Sequence, residues 1–433
     1  MKLLHLLVIL LVSVTANSQT PITDANFQDA INTCLSTNPV DGMCSSSEYG
    51  AMPDWDVSNV TDMYSAFSEK NSFNADLSNW NVGNVTNMTR MFTVASSFNS
   101  DLSSWDVSSV LDMQNIFRGS SSFSADLSNW DVSSVTNMNS MFIDASLFNS
   151  DLSTWDVSSV TKMNSMFASA SSFNSDLSSW NVSSVLDMQA MLLSAGSFNS
   201  DLSNWDVSNV TNMQAMFANL QDFNSDLSNW DVSNVTNMSD LFLRASSFNS
   251  DLSNWDVSSV TRMRDMFGEA VLFNSDLSSW DVSSVTDMRD MFNESGLSTD
   301  NYDAILIGWS QIGVQLFVKL GAEGINYCLG EDARQSLIDD HGWTINDAGL
   351  DCEISSINDD KFNVSVYPNP TSNILNIEGN NNELKATVFD VLGKEIIQQN
   401  ITDKIDLQNL EKGIYFIKLS DGLKVSSYKI IKN

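Results

Sequence analysis

This 433-residue chain predicts an α/β repeat fold: a solenoid of about ten 25-residue coils with capped ends, then a small all-β sandwich. Three observations carry that prediction. Trp55, Trp80, Trp105, Trp130, Trp155, Trp180, Trp205, Trp230, Trp255 and Trp280 recur every 25 residues without a slip. A bead of 25 residues is too small for a core of its own, so equal spacing calls for stacking. From residue 364 the composition changes: eight Lys balance eight acidic residues in the last 70, leaving the net negative charge to the part before them.

Residues 248–272, FNSDLSNWDVSSVTRMRDMFGEAVL, serve as one unit. Trp255 and Val257 alternate with Asp256 and Ser258, the two-residue rhythm of a strand with one buried face. From Val260 onward the apolar residues (Met263, Met266, Phe267, Ala270) fall three or four apart, the rhythm of a helical turn or two, which Ser258 or Ser259 can cap. Each unit therefore reads as a short strand, a corner, a short helical segment and a return loop. At about 4.8 Å between strands, the stacked coils form a sheet roughly 45 Å long. Residues 52–292 hold the ten units, and the Met-Phe stripe fills the core.

Both ends of this array break the period, as solenoid caps do. Residues 19–51 read as the N-terminal cap and 293–352 as the C-terminal cap, with Tyr302, Ile305, Leu306, Trp309, Tyr327 and Trp343 as its apolar mass. Ahead of the first cap, residues 1–18 carry one Lys, an apolar run too short to span a bilayer, and small residues at Ala16 and Ser18. This is the pattern of a secretory signal peptide cleaved before Gln19. The other reading is a buried first helix. No later stretch is long and apolar enough for a transmembrane helix. In an exported protein, the pairs Cys34 with Cys44 and Cys328 with Cys352 read as disulfides that staple the two caps, with free buried thiols as the alternative.

Charge and composition narrow the function. A formal charge of −34 excludes binding to nucleic acid by phosphate neutralisation and argues against docking on an anionic membrane. His5 leaves with the signal, so His341 is the only histidine of the mature chain. No Ser has a recognisable base partner, and carboxylates repeated at even spacing are not the unlike pair that acid–base catalysis needs. The chain reads as a non-enzyme.

The spacing L-x-x-W-x-V-S-x-V-T-x-M-x-x-M-F-x-x-A-x-x-F, seen in residues 227–248 with Leu241 at the second Met position, resembles the BspA-type leucine-rich repeat of bacterial surface proteins. The resemblance covers residues 52–292, in a variant where Trp and Met replace many aliphatic residues. It implies a leucine-rich-repeat-like solenoid exposed at the cell surface, with adhesion or binding in some members.

After a linker at 353–363, the stretches 364–367, 374–377, 387–389 and 414–419 read as strands separated by turn signals. The motifs YPNP (Tyr367, Pro368, Asn369, Pro370), DVLGKE with Gly393 and Lys394, and LEKGIYFIKL with Gly413 and Tyr415 closely resemble the type A sorting domain of the type IX secretion system. That resemblance implies export through the inner and outer membranes to the cell surface or medium. It also implies recognition of residues 364–433 by the secretion machinery, and a source among the Bacteroidota. A carbohydrate-binding β-sandwich is the other reading of this tail.

Two files of acidic residues run along the stack. Asp76, Asp101, Asp126, Asp151, Asp176, Asp201, Asp226, Asp251 and Asp276 form the first. Asp56, Asp106, Asp131, Asp156, Asp206, Asp231, Asp256 and Asp281 form the second, with Asn81 and Asn181 in its gaps. Like charges about 4.8 Å apart repel by roughly 0.9 kcal/mol per pair even in water, so something must offset the sum. Hydrogen bonding within each turn is one answer; Ca²⁺ on Asp101, Asp126, Asp151, Asp176, Asp201, Asp226 and Asp251 is the other. No other cofactor is expected. The expected function is an adhesion or binding scaffold that offers its acidic face to an extracellular glycan or surface protein. A structural spacer or matrix protein, or a hydrolase of surface polymers, are the alternatives.

Overall fold

The computed structural model describes residues 19–352, 364–378, 384–390, 394–420 and 425–433. The expected signal peptide (1–18), the linker (353–363) and Gly393 lie outside the described residues. The chain divides into two compact units, one ending at Cys352 and the other beginning at Glu353.

In the first unit the 25-residue segments lie one on another. Parallel bridges join Asp62 to Asn87, Asn87 to Asp112, and so on unbroken to Arg262 and Asp287. The ladder does not run where the sequence predicts a strand. Around the Trp the chain turns corners instead: Trp80 N donates to Leu77 O at 3.0 Å and Val85 N to Val82 O at 2.9 Å. Cross-coil pairing falls in the segment expected to be helical. There Met63, Ser65, Phe67 and Glu69 donate their N–H groups to Asn87, Thr89, Met91 and Thr93 of the next coil at 2.7–3.0 Å. The intervening N–H groups turn inward, Ala66 to Met63 O and Ser68 to Ser65 O.

The backbone explains the difference. Ser65 (φ 53°) and Glu69 (φ 62°) are left-handed, and every later unit repeats the pair, ending at Asp290 and Glu294. A left-handed residue every fourth position prevents the i to i−4 bonding of an α-helix and aims alternate N–H groups at the neighbouring coil. Only Gly119 among these twenty positions is glycine; Val94, a β-branched residue, sits at φ 57°. Each such residue costs on the order of 1–3 kcal/mol, so the ladder must hold it in place.

Inside the coils every Trp from 55 to 280 is buried. Trp180 stacks on Trp205 at 6.5 Å between centroids and within 2° of parallel, and Trp80 on Trp105 and Trp255 on Trp280 do the same. From Trp80 on, each indole N–H reaches into the preceding coil: Trp105 Nε1 donates to Leu77 O, and Trp205 Nε1 to Leu177 O at 2.9 Å. Two Phe files stack beside them, Phe92 on Phe117 at 5.6 Å and Phe98 on Phe123 at 6.0 Å. The Met files are fully buried.

Among the described residues the α-helices lie in the flanking segments. At the N-terminal side α1 (Phe27–Leu35) buries Phe27, Ala30, Ile31, Cys34 and Leu35 on one face, and Phe27 meets Trp80 edge-on at 5.9 Å. Asp24 accepts from Thr61 N, Thr61 Oγ1 and Asp62 N, standing in for the Thr carbonyl a preceding coil would supply. Cys34 is bonded to Cys44.

At the far side α2 (Thr299–Ser310) brings Trp309 to donate to Leu277 O at 3.2 Å, continuing the indole file although the 25-residue period has ended. Strand β1 (Lys319–Tyr327) continues the ladder: Phe292 N reaches Gly321 O at 2.9 Å and Glu294 N reaches Glu323 O at 2.8 Å. Gly321 is required there, since a Cβ would stand 2.3 Å from Asp290 N. Helix α3 (Glu331–His341) then crosses to β2 (Thr344–Leu350), which pairs parallel with β1. Asp303 accepts three backbone N–H groups, from Cys328, Leu329 and Gly330. Cys328 is bonded to Cys352.

The second unit, among its described residues, is built of strands: β3 (Ser365–Tyr367), β4 (Ile374–Glu378), β5 (Leu384–Phe389), β6 (Glu395–Ile401), β7 (Lys404–Asp406), β8 (Gly413–Ser420) and β9 (Val425–Lys432). They form a three-stranded sheet, β3-β4-β7, and a four-stranded sheet, β6-β5-β8-β9. One buried cluster, including Leu375, Ile405, Val388 and Ile417, draws on both sheets.

Two outcomes follow from the packing. Trp205→Phe removes the donor to Leu177 O and should cost about 1–3 kcal/mol, read as a lowered denaturation midpoint. Val94→Gly relieves a left-handed β-branched residue and should raise the melting temperature, by about 1 kcal/mol of stability.

Candidate interaction face

The two Asp files come from two tight turns per coil. In the first file each carboxylate accepts from the backbone N–H two residues on: Asp101 Oδ1 from Ser103 N, Asp151 Oδ1 from Ser153 N and Asp226 Oδ1 from Ser228 N, at 2.9–3.0 Å. The second file repeats the device, often with the Ser hydroxyl as well: Asp106 Oδ1 takes Ser108 N at 3.1 Å and Ser108 Oγ at 2.6 Å. Asn81 and Asn181 make the same turn with an amide oxygen, to Gly83 N and Ser183 N at 3.2 Å. All these side chains are exposed.

Hydrogen bonding is thus what offsets the repulsion within the files. Backbone N–H of Ser103 and the Ser103 hydroxyl lower the pKa of Asp101, and this outweighs the opposing push of Asp76 and Asp126. Asp151 behaves likewise against its neighbours. For Asp106 and Asp206 of the second file the leading cause of the lowered pKa is the Ser hydroxyl, of Ser108 and Ser208 in turn. Asp101, Asp126, Asp151, Asp176, Asp201, Asp226 and Asp251 lie in one file, each turned to its own Ser. Among the described residues no group of three or more His, Cys, Asp or Glu could hold a metal ion.

Other polar files along the stack bond to neighbouring coils. Asn74 Oδ1 accepts from Asn99 N, Asn174 Oδ1 from Asn199 N and Asn249 Oδ1 from Asn274 N, at 2.9 Å. Ser175 Oγ accepts from Leu152 N, and Ser279 Oγ donates to Ser253 O. A third Asp/Asn file pairs amide with carboxylate across coils: Asn87 with Asp62, Asn137 with Asp112 and Asn212 with Asp187. Sequence reasoning missed the Asn ladder and this third file, although both recur every 25 residues.

Positive charge is kept away from the two files. Lys70, Arg90, Arg118, Lys162, Arg244, Arg262, Arg264 and Arg289 all fall on the ladder segment, and no Lys or Arg occurs between one ladder segment and the next. Three of the Arg pair with acids of that segment: Arg244 with Glu269, Arg264 with Asp265 and Arg289 with Asp287. The two Asp files therefore carry carboxylates without cations, and the ladder segment is of mixed sign.

Elsewhere, Arg334 clasps Asp347 at 2.7 and 3.1 Å while Tyr302 donates to the same carboxylate, a half-buried arrangement of α2, α3 and β2. His341 ends α3, its carbonyl accepting from Phe317 N. In the tail, Tyr367 Oη donates to Glu378 at 2.9 Å, and Tyr415 is buried with its hydroxyl on Glu411 O. Asn369 Nδ2 donates to Lys429 O and Asn369 Oδ1 accepts from Ile431 N, both at 2.8 Å. Pro368 and Pro370 follow cis peptide bonds. Lys394 N donates to Asp390, and Gly413 opens β8 opposite Lys432. No described helix is long and apolar enough to cross a membrane.

Residues 40–134, 122–224 and 197–304 each match the family described as Mycoplasma protein of unknown function, DUF285. Residues 365–433 match the secretion system C-terminal sorting domain. No curated protein matches the chain.

Acid should destabilise the stack. Carboxylates with lowered folded pKa contribute stability that is present above about pH 4 and is lost as pH falls through the folded values. Asp240 and Asp265 oppose this: burial raises them, so their contribution is lost as pH rises through their folded values. The melting temperature should climb from pH 3 to pH 5, and Asp240→Asn should raise it at pH 7 but not at pH 3.5.

Proposed function

This chain belongs to the DUF285 family, and from that premise we propose that it is a surface-exposed binding scaffold. The sorting domain marks an exported repeat protein bound for the cell surface or the extracellular space. On our reading its stacked coils form a solenoid of the leucine-rich-repeat kind with capped ends, and the tail is a small β-sandwich. The scaffold has no catalytic role and presents its carboxylate face to an extracellular glycan or a surface protein. The observation that carries this reading is the exclusion of every Lys and Arg from the two Asp files. Many weak contacts along identical coils add through effective concentration, which suits a repetitive target.

A spacer without a dedicated ligand is the second reading. It is favoured by the many Ser, Thr and Asn side chains of this face that bond to the neighbouring coil, as Thr154 and Asn209 do. The turn geometry supplies a discriminating variant. Asn81 and Asn181 make the Asp turn without the charge, so replacing Asp106, Asp131, Asp156, Asp206 and Asp231 by Asn should leave the stack folded, with a melting temperature modestly lowered at pH 7. On glycan arrays and whole cells, that variant should lose binding by about tenfold or more, and the wild type should weaken with added salt. Equal binding by variant and wild type would remove the acidic-face reading, and absence of binding by either supports the spacer.

A further inference from the structure

Resting on the reading of residues 365–433 as an export address, we propose that the outer face of the tail's four-stranded sheet is its docking surface. Its centre is Ile414, Phe416 and Ile431, and its partner is an apolar protein surface rimmed with carboxylates on the export machinery. Strand β8 alternates: Tyr415, Ile417 and Leu419 are buried, while Ile414 and Phe416 face outward at 40% and 42% exposure, beside Ile431 at 40%. Outward positions of such a sheet are ordinarily polar. Here they are apolar and adjacent, for Ile414 stands in register with Ile431, and Phe416 with Phe389 on β5. Contiguous exposed apolar side chains of this kind mark contact surfaces.

Charge identifies the partner's chemistry. The tail is neutral in sum, with eight Lys against eight acids. Yet Lys385, Lys418 and Lys429 share the outward side of this sheet with Glu395 as the acid in register beside them. The three-stranded sheet instead turns Glu378, Asp406 and Lys404 outward. Lys429 stands directly opposite Phe416, inside the patch. A lipid phase would have to take in that ammonium unpaired, whereas a protein can meet it with a carboxylate.

The YPNP motif bears on the same residues. The Asn369 side chain bonds Lys429 O and Ile431 N, and Thr371 N bonds Ile431 O. It pins the end of β9 where the patch is formed.

The test uses the full-length chain in a cell with a working type IX system, measuring the exported against the retained fraction. Lys418→Glu with Lys429→Glu alters exposed groups without touching the core, and Phe416→Ser removes the centre of the patch. Each should lower export about tenfold while the retained chain stays trypsin-resistant. If Phe416→Ser proves protease-sensitive, the double Lys variant decides. Normal export of that variant overturns the docking face and leaves the export reading intact. Normal export of a chain lacking residues 365–433 overturns the export reading itself. Binding of the wild type, and not the variants, to anionic phosphatidylglycerol vesicles would replace the protein partner by a membrane.

Discussion

Every coil of the stack is completed by its neighbour. Met63, Ser65, Phe67 and Glu69 have their hydrogen-bond acceptors in the next coil, and each indole N–H from Trp80 on has its acceptor in the preceding one. Burial alone would hold the Trp, Met and Phe files together, but it would not set their register. The ladder sets it. Because the two sets of bonds agree, the structure over-determines each coil and can hold nineteen non-glycine residues in left-handed conformations. The same dependence explains the ends, where Asp24 and the strands β1 and β2 supply what a further coil would have given.

Stacking has an electrostatic consequence, since it lines up like side chains. The Asp files are tolerated because each carboxylate is held by the N–H and hydroxyl groups of its own turn. Asn81 and Asn181 reveal what that turn requires: an oxygen acceptor, not a charge. Carboxylates at the other positions of the file are therefore not required to form the turn. Together with the exclusion of Lys and Arg from the two files, this is the ground on which a binding role is proposed for them.

The tail follows a different plan. Its strands alternate buried and outward residues, and its motif residues act chiefly through the backbone they hold: Asn369 on β9, Tyr415 on Glu411 O. Its charge is distributed by sheet face although it sums to zero. The Lys-rich composition of the end was legible in the sequence; its arrangement around Phe416 required the register of β5, β8 and β9.

The sequence by itself determined the number of coils, which side chains are buried, where the period ends, and that the Asp form files. Those depend on spacing and hydrophobicity, which a one-dimensional pattern carries. It misplaced the local conformation. Trp255 and Val257 alternate like a strand but sit at corners, and Met263, Met266 and Phe267 are spaced like a helix but lie on the ladder. Residues such as Arg90, Val94 and Asp240 give no signal of a left-handed backbone, because bonds to the adjacent coil impose it. Likewise Trp309 joins the indole file from a helix 29 residues after Trp280, a place fixed by packing and not by period. Periodicity is a property of the chain; hydrogen-bond direction between coils exists only once they are stacked.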